Sequence, residues 1–218
     1  MTNQRDLMNK ASEEYGVGGN SDFFTFDKSG NYKLRLLTPA YPIATHFFGK
    51  GVPAKVCYGA DKGCPFHGDN APKNDEGNEA KPSVKFIAYA IDRTDNKIKL
   101  AELPWSVVSQ VTTYQEDEDY AFEEFPMPYD IKVTVDKEAS AANIYKTLPA
   151  QSRSEIEPEL LAEFENKNKD RSPEVYIEQR KEKQRTKDGN DDSLLKAPAK
   201  QNQNEYPNEE INPKDIPF

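Results

Sequence analysis

The stretch SVKFIAYAIDRTDNKIKLAEL, residues 83–103, decides the fold. Val84, Phe86, Ala88 and Ala90 fall on one side of an extended chain, with Lys85, Ile87, Tyr89 and Ile91 on the other. The polar turn DRTDNK leads into IKLAEL, a second extended run, so residues 84–103 read as a β-hairpin. Working outward, YKLRLLT (32–38) alternates, with Tyr32, Leu34 and Leu36 on one face and Lys33 and Arg35 on the other. IATHFF (43–48) is another short run, and YDIKVTVD (129–136) alternates through Ile131, Val133 and Val135. Between them SVVSQVTTY (106–114) has helical spacing at Val107, Val108 and Val111. Five short strands with one intervening helix predict a mainly β fold, a small closed or partly closed barrel. Phe86 and Trp105 are expected in its core, with Trp105 covering the barrel end.

Beyond this block the chain changes character. Apolar residues are 35% and charged residues 31% of 218, which predicts one core with solvated extensions. Residues 1–20 read as a flexible arm ending in GVGG, and NAPKNDEGNEAKPS (70–83) as an exposed loop. After Pro149 two charged helical stretches follow, SEIEPELLAEFENKNK (154–169) and SPEVYIEQRKEKQR (172–185), each opened by a serine able to cap it. Residues 187–218 have no periodicity and read as a disordered acidic tail. The net charge of −9 is uneven. Residues 21–100 carry 12 Lys/Arg against 9 Asp/Glu, whereas residues 101–150 carry 3 against 10. Such a balance suits anion binding by the first block, and equally a plain solvated surface. The polar N-terminus lacks a secretory h-region and no stretch approaches 18 apolar residues, so a soluble, cytoplasmic protein without membrane contact is expected.

Both cysteines and both histidines lie in THFFGKGVPAKVCYGADKGCPFHG (45–68). His46, Cys57, Cys64 and His67 so close together have the composition of a zinc site, because Zn²⁺ takes four tetrahedral N and S ligands. Cys64-Pro-Phe-His67 has the spacing at which both ends of a tight turn face one ion. The same residues also allow two unrelated thiols beside surface histidines. A Cys57–Cys64 disulfide fits an intracellular setting poorly. With four protein ligands no position is left for water, so the zinc is read as structural and the protein as no enzyme.

The basic alternating strand, the zinc loop with its His-Cys-Cys-x2-ligand order, and the acidic tail together resemble the zinc-containing single-stranded DNA-binding proteins of T-even-like bacteriophages. The resemblance spans roughly residues 25–148 in arrangement. It implies an OB-like barrel over residues 21–148 with its zinc loop at 46–67, and DNA binding in replication, recombination and repair; the charged helical segment, read from the residues themselves, spans 149–186. It also implies one His and three Cys around the zinc. Here those positions are His46, Cys57, Cys64 and His67, the last a His in place of Cys. The family's basic arm, which supports self-association on DNA, is represented only by Arg5 and Lys10. The ending Asp215-Ile216-Pro217-Phe218 resembles the tail of bacterial single-stranded DNA-binding proteins, which docks on partner enzymes.

Sequence-tolerant strand binding needs cations along the backbone path and rings for the bases. The candidates are Lys33, Arg35, Lys85, Lys97 and Lys99 for phosphate, and Phe47, Phe48, Tyr58, Phe66 and Tyr89 for bases. Each ring has packing in the core as its alternative, and the lysines have plain solvation. Two rival functions stand beside this reading. One is a zinc-stapled protein-interaction or virion-assembly protein; the other is a zinc-dependent nuclease using the acidic run EDEDY (116–120).

Overall fold

The computed structural model describes residues 23–49, 51–68 and 71–189. The hairpin is its spine: β5 (Pro82–Asp92) pairs antiparallel with β6 (Lys97–Pro104), from Lys85 opposite Pro104 to Asp92 opposite Lys97. All five strands expected from the sequence form, with β2 at Gly30–Leu36, β3 at Tyr41–His46 and β7 at Tyr129–Val135. Three more join them: β1 (Phe23–Phe24), β4 (Lys55–Val56) and β8 (Tyr145–Arg153). The result is one mixed eight-stranded sheet, ordered β1-β6-β5-β2-β7-β8, with β3 on β5 and β4 on β3. Among the described residues only β1 against β6 is parallel. The mainly β expectation holds. Closure of five strands into a barrel does not appear: among the described residues no ladder joins β1 to β8, and the sheet is open.

Strand β8 was hidden by Pro149, which lacks the N–H a central strand needs. Among the described residues it pairs only with β7, and its outer edge is met by the Gln110 and Tyr114 side chains rather than by another strand, so proline is tolerated there. β1 and β4 are two residues each, too short for alternation to register.

β5 is buried on both faces from Ile87 to Asp92, which is why apolar residues occupy both sides of its alternation. Its Ala88 and Ala90 join Leu34, Leu36, Ala101, Leu103, Ile131 and Val133 in one core, closed by Val107 and Val111 of helix α1 (Trp105–Gln115). Its Ile87, Tyr89 and Ile91 join Leu37, Ile43, Ile98 and Leu100 in a second core on the opposite face. Phe164 of α2 (Pro158–Asp170) and Tyr176 and Ile177 of α3 (Pro173–Gly189) cover that second core. Trp105 is corrected by the structure: it is 63% exposed, because α1 buries its Val107/Val111 face and leaves its first residue outside.

The serine caps divide. Ser172 Oγ accepts from the Val175 amide at 3.4 Å as α3 begins. Ser154 lies too far before α2, which opens after Glu157 with Pro158. Its hydroxyl and carbonyl instead accept from the Arg35 guanidinium. Arg35 is only 1% exposed, and its Nε donates to Asp130 at 2.7 Å. Lys33 and Arg93 reach the same carboxylate at 3.0 and 3.2 Å. Burial alone would raise the Asp130 carboxyl, but the Lys33 hydrogen bond and the Arg35 and Arg93 charges hold it below its usual range.

The arm (1–20) lies outside the described residues, as does the chain from residue 190, including Asp215–Phe218, expected to dock on partners. α3 runs on to Gly189, past the 186 boundary expected for the helical segment. No helix among the described residues is long and apolar enough to cross a membrane.

Candidate metal centre

The β3–β4 pairing sets the first two ligands. Thr45 lies opposite Val56 and His46 opposite Lys55, and the Cys57 amide extends the ladder by donating to Ala44 O at 2.9 Å. The chain then has to turn back within a few residues. Gly59 (φ 102°) and Gly63 (φ 77°) bracket the single 3₁₀ turn Ala60–Lys62, and both occupy backbone conformations that side chains disfavour. A Cβ at Gly59 would also meet Asp61 Oδ1 at 2.5 Å. The Cys64 amide closes the turn on Gly59 O at 3.1 Å, and Cys64-Pro65-Phe66-His67 bends the last ligand inward.

The four ligand atoms of His46, Cys57, Cys64 and His67 all lie within 4.8 Å of one another, and the group can hold a metal ion. His67 Nε2 lies 3.1 Å from Cys57 Sγ, and His46 Nε2 lies 3.8 Å from Cys64 Sγ. A tetrahedron with metal–S near 2.3 Å and metal–N near 2.0 Å has edges of about 3.3–3.8 Å, so the set fits such an ion with small adjustments. The ring of His46 is held by its other nitrogen, Nδ1–H donating to Ala80 O at 2.6 Å, which turns Nε2 toward the sulfurs. His46 is fully buried, and desolvation lowers its pKa, favouring the neutral imidazole that ligates. Burial pushes the Cys64 thiol up, so its thiolate requires a cation's charge nearby.

The walls are aromatic. Phe66 and Tyr58 are buried with Cys64, and Phe48 packs on Phe66 at a centroid distance of 5.1 Å. Burial, with the Asp188 carboxylate beside it, pushes the Tyr58 phenol up to about 12. Tyr58 thus links the metal loop to the end of α3. Among the described residues this is the one His/Cys/Asp/Glu group of metal-binding geometry; the acidic run 116–120 forms none.

The residues expected to touch DNA do not form a single surface. Tyr58, Phe66 and Tyr89 are buried, and the Tyr89 hydroxyl donates to Arg171 O at 2.9 Å under the helices. Arg35 is enclosed with Asp130, because Leu34 to Leu37 are buried on both faces of β2. Lys85 pairs with Glu102, and Lys99 bridges Asp92 and Asp95 at 2.8 Å each. Phe48 is half-buried, whereas Phe47, Lys33 and Lys97 reach solvent.

Two participants were missed. The Ala80 carbonyl orients His46 from a loop that is otherwise exposed, and nothing in an alanine's sequence context signals that. The second is Trp105, whose ring lies 5.5 Å from that of Phe86. Strand register puts Phe86 opposite Pro42, Val84 opposite Ala44 and Pro82 opposite His46. Opposed residues share a face, so His46 and the Phe86–Trp105 pair stand on the same side of the sheet. Compared with protein-family models, curated proteins and solved structures, the chain matches none of them.

Proposed function

We propose that this protein binds single-stranded DNA without sequence preference, and that His46, Cys57, Cys64 and His67 hold a structural zinc ion. Two thiols and two imidazoles within 4.8 Å of one another, half of them buried, suit Zn²⁺, and four protein ligands would leave it no open position for catalysis. The zinc gives order to the loop, and the protein works by binding rather than by reaction.

The observation that carries the reading is the exposed strip beside the centre. Trp105 at 63% and Val84 at 38% exposed, with the partly buried Phe86 beside Trp105, offer an apolar aromatic surface to solvent. A base stacked on such a ring gains about 1–3 kcal/mol whatever its identity. The pairing of β5 with β3 through its first half and β2 through its last supports reading the sheet as an opened relative of an OB-like barrel. Likeness to the zinc-containing phage proteins, a role in replication, recombination and repair, and enzyme docking through Asp215–Phe218 belong to this same proposal.

The rival is a metal-stapled protein-interaction or virion-assembly protein, which would cover the same strip with a partner's apolar surface. A mobility-shift titration with poly(dT) at two salt concentrations separates them. Tight, salt-sensitive binding with no base preference supports strand binding, and no shift at either salt overturns it.

A further inference from the structure

A groove of about 580 Å³ runs along α3, on the side of the sheet that the helices cover. Arg171, Arg180, Lys183 and Lys187 line it, over a floor that includes Phe23, Val56 and Tyr176. None of these cations belongs to the strip around Trp105 or to the residues first singled out for phosphate.

The sequence of α3 explains the lining. Tyr176, Arg180, Lys183 and Lys187 recur at i, i+4, i+7 and i+11, one stripe of a 3.6-residue helix. Glu178 and Glu182 follow a different stripe and are answered there, by Lys181 at 2.7 Å and Arg185 at 2.8 Å, while Asp188 accepts from the groove-lining Gln184 at 2.7 Å. Inside the groove the carboxylate is Glu102, already paired with Lys85 and 3.9 Å from Arg180. Arg171 and Arg180 lie over the Tyr176 ring, at 4.5 and 5.7 Å from its centroid, which holds both guanidinium groups at the groove. Lys183 and Lys187 are exposed. At a rise of about 1.5 Å per residue the cations repeat every ~4.5–6 Å along the axis, the pattern of a receptor for a chain of charges rather than one isolated anion.

We propose that this groove is a phosphate track: it holds successive backbone phosphates of a single strand, while Trp105, on the opposite face of the sheet, takes bases from a different stretch of that strand. The inference rests on the strand-binding reading and names a site for it. Val56 in the floor precedes Cys57, so the metal loop supplies one wall of the groove.

The test is fluorescence anisotropy of a labelled oligo(dT) against salt, for the full chain, the Lys183→Gln/Lys187→Gln variant and Trp105→Ala. A single strand's affinity falls with log salt by about 0.7 per phosphate contact, so the double variant should flatten the slope by roughly 1.4. Trp105→Ala should weaken binding with its slope unchanged. Both lysines are solvent-exposed, and an unchanged far-UV spectrum checks that the variant folds. If the double variant keeps the full slope and affinity while Trp105→Ala weakens binding, the track is overturned and strand binding stands. If the unmodified chain itself fails to bind, both are overturned.

Discussion

The β5–β6 hairpin and the metal loop are joined through β3, yet they are held by different means. The hairpin lies between two cores, with Ile87, Ala88, Ile91, Ala101 and Leu103 all essentially inaccessible to water. The loop has one small cluster of its own, Tyr58, Cys64 and Phe66 with Phe48 and Cys57 at its margin. At about 25 cal/mol per Å² of apolar burial, a cluster that small cannot offset the ordering of some twenty residues at about 1–2 kcal/mol each. The lesson is that the sheet folds by burial alone, whereas the loop needs the proposed ligation as well.

The largest effect should come from attacking the ligands. Structural zinc in small modules supplies an apparent 10–16 kcal/mol at neutral pH. Chelation or Cys64→Ser should therefore melt residues 46–68 while leaving β5 and β6 protected, as read by amide hydrogen exchange. Equal loss of protection in both regions would break the comparison.

Next come the buried charges. Arg35→Met leaves Asp130 with one guanidinium and one half-exposed lysine, and should cost about 3–5 kcal/mol in urea unfolding. Leu103→Ala, in the core under α1, should cost about 2–5 kcal/mol with or without metal. Phe66→Ala sharpens the contrast: its cost of about 3–5 kcal/mol should appear only in the metal-loaded protein.

Acid should act on the sheet through Asp130 and Asp92. Burial opposes ionisation of both. Asp130 is nevertheless held down by Lys33, Arg35 and Arg93, and Asp92 by Lys99 and Thr94. A depressed folded pKa contributes stability above the unfolded value of about 3.9 and loses it as pH falls through the lower folded value. Urea midpoints should therefore fall below about pH 4, and a midpoint rising there would contradict this assignment. The smallest effect belongs to Lys85→Ala. Its pair with Glu102 is half in solvent, so at most about 1 kcal/mol is expected.

The sequence was most legible where burial and alternation coincide. The hairpin, β2 and β7 stand where their periodicity put them, and α1 buries the Val107 and Val111 of its expected apolar face. The ligand set was legible because rare residue types crowd into one window, and the four do converge. Illegible were features that depend on what lies across the sheet. Arg35 looked like an exposed phosphate contact, and only Asp130, 95 positions away, shows why it is inside. Tyr89 looked like a free ring until α2 and α3 folded over it. Trp105 looked like core because it is large and apolar, yet its place at the first turn of α1 keeps it outside. Pairing over long sequence separation is what local periodicity does not contain.

Trp105 is the chain's single tryptophan, so its emission reports on the proposed stacking surface alone. Titrating the metal-loaded protein with oligo(dT) tests the central claim most directly. The account predicts saturable quenching of that emission as bases stack on the ring, reversed by added salt. Emission that stays constant through the titration, at low salt and with strand in excess, would contradict it.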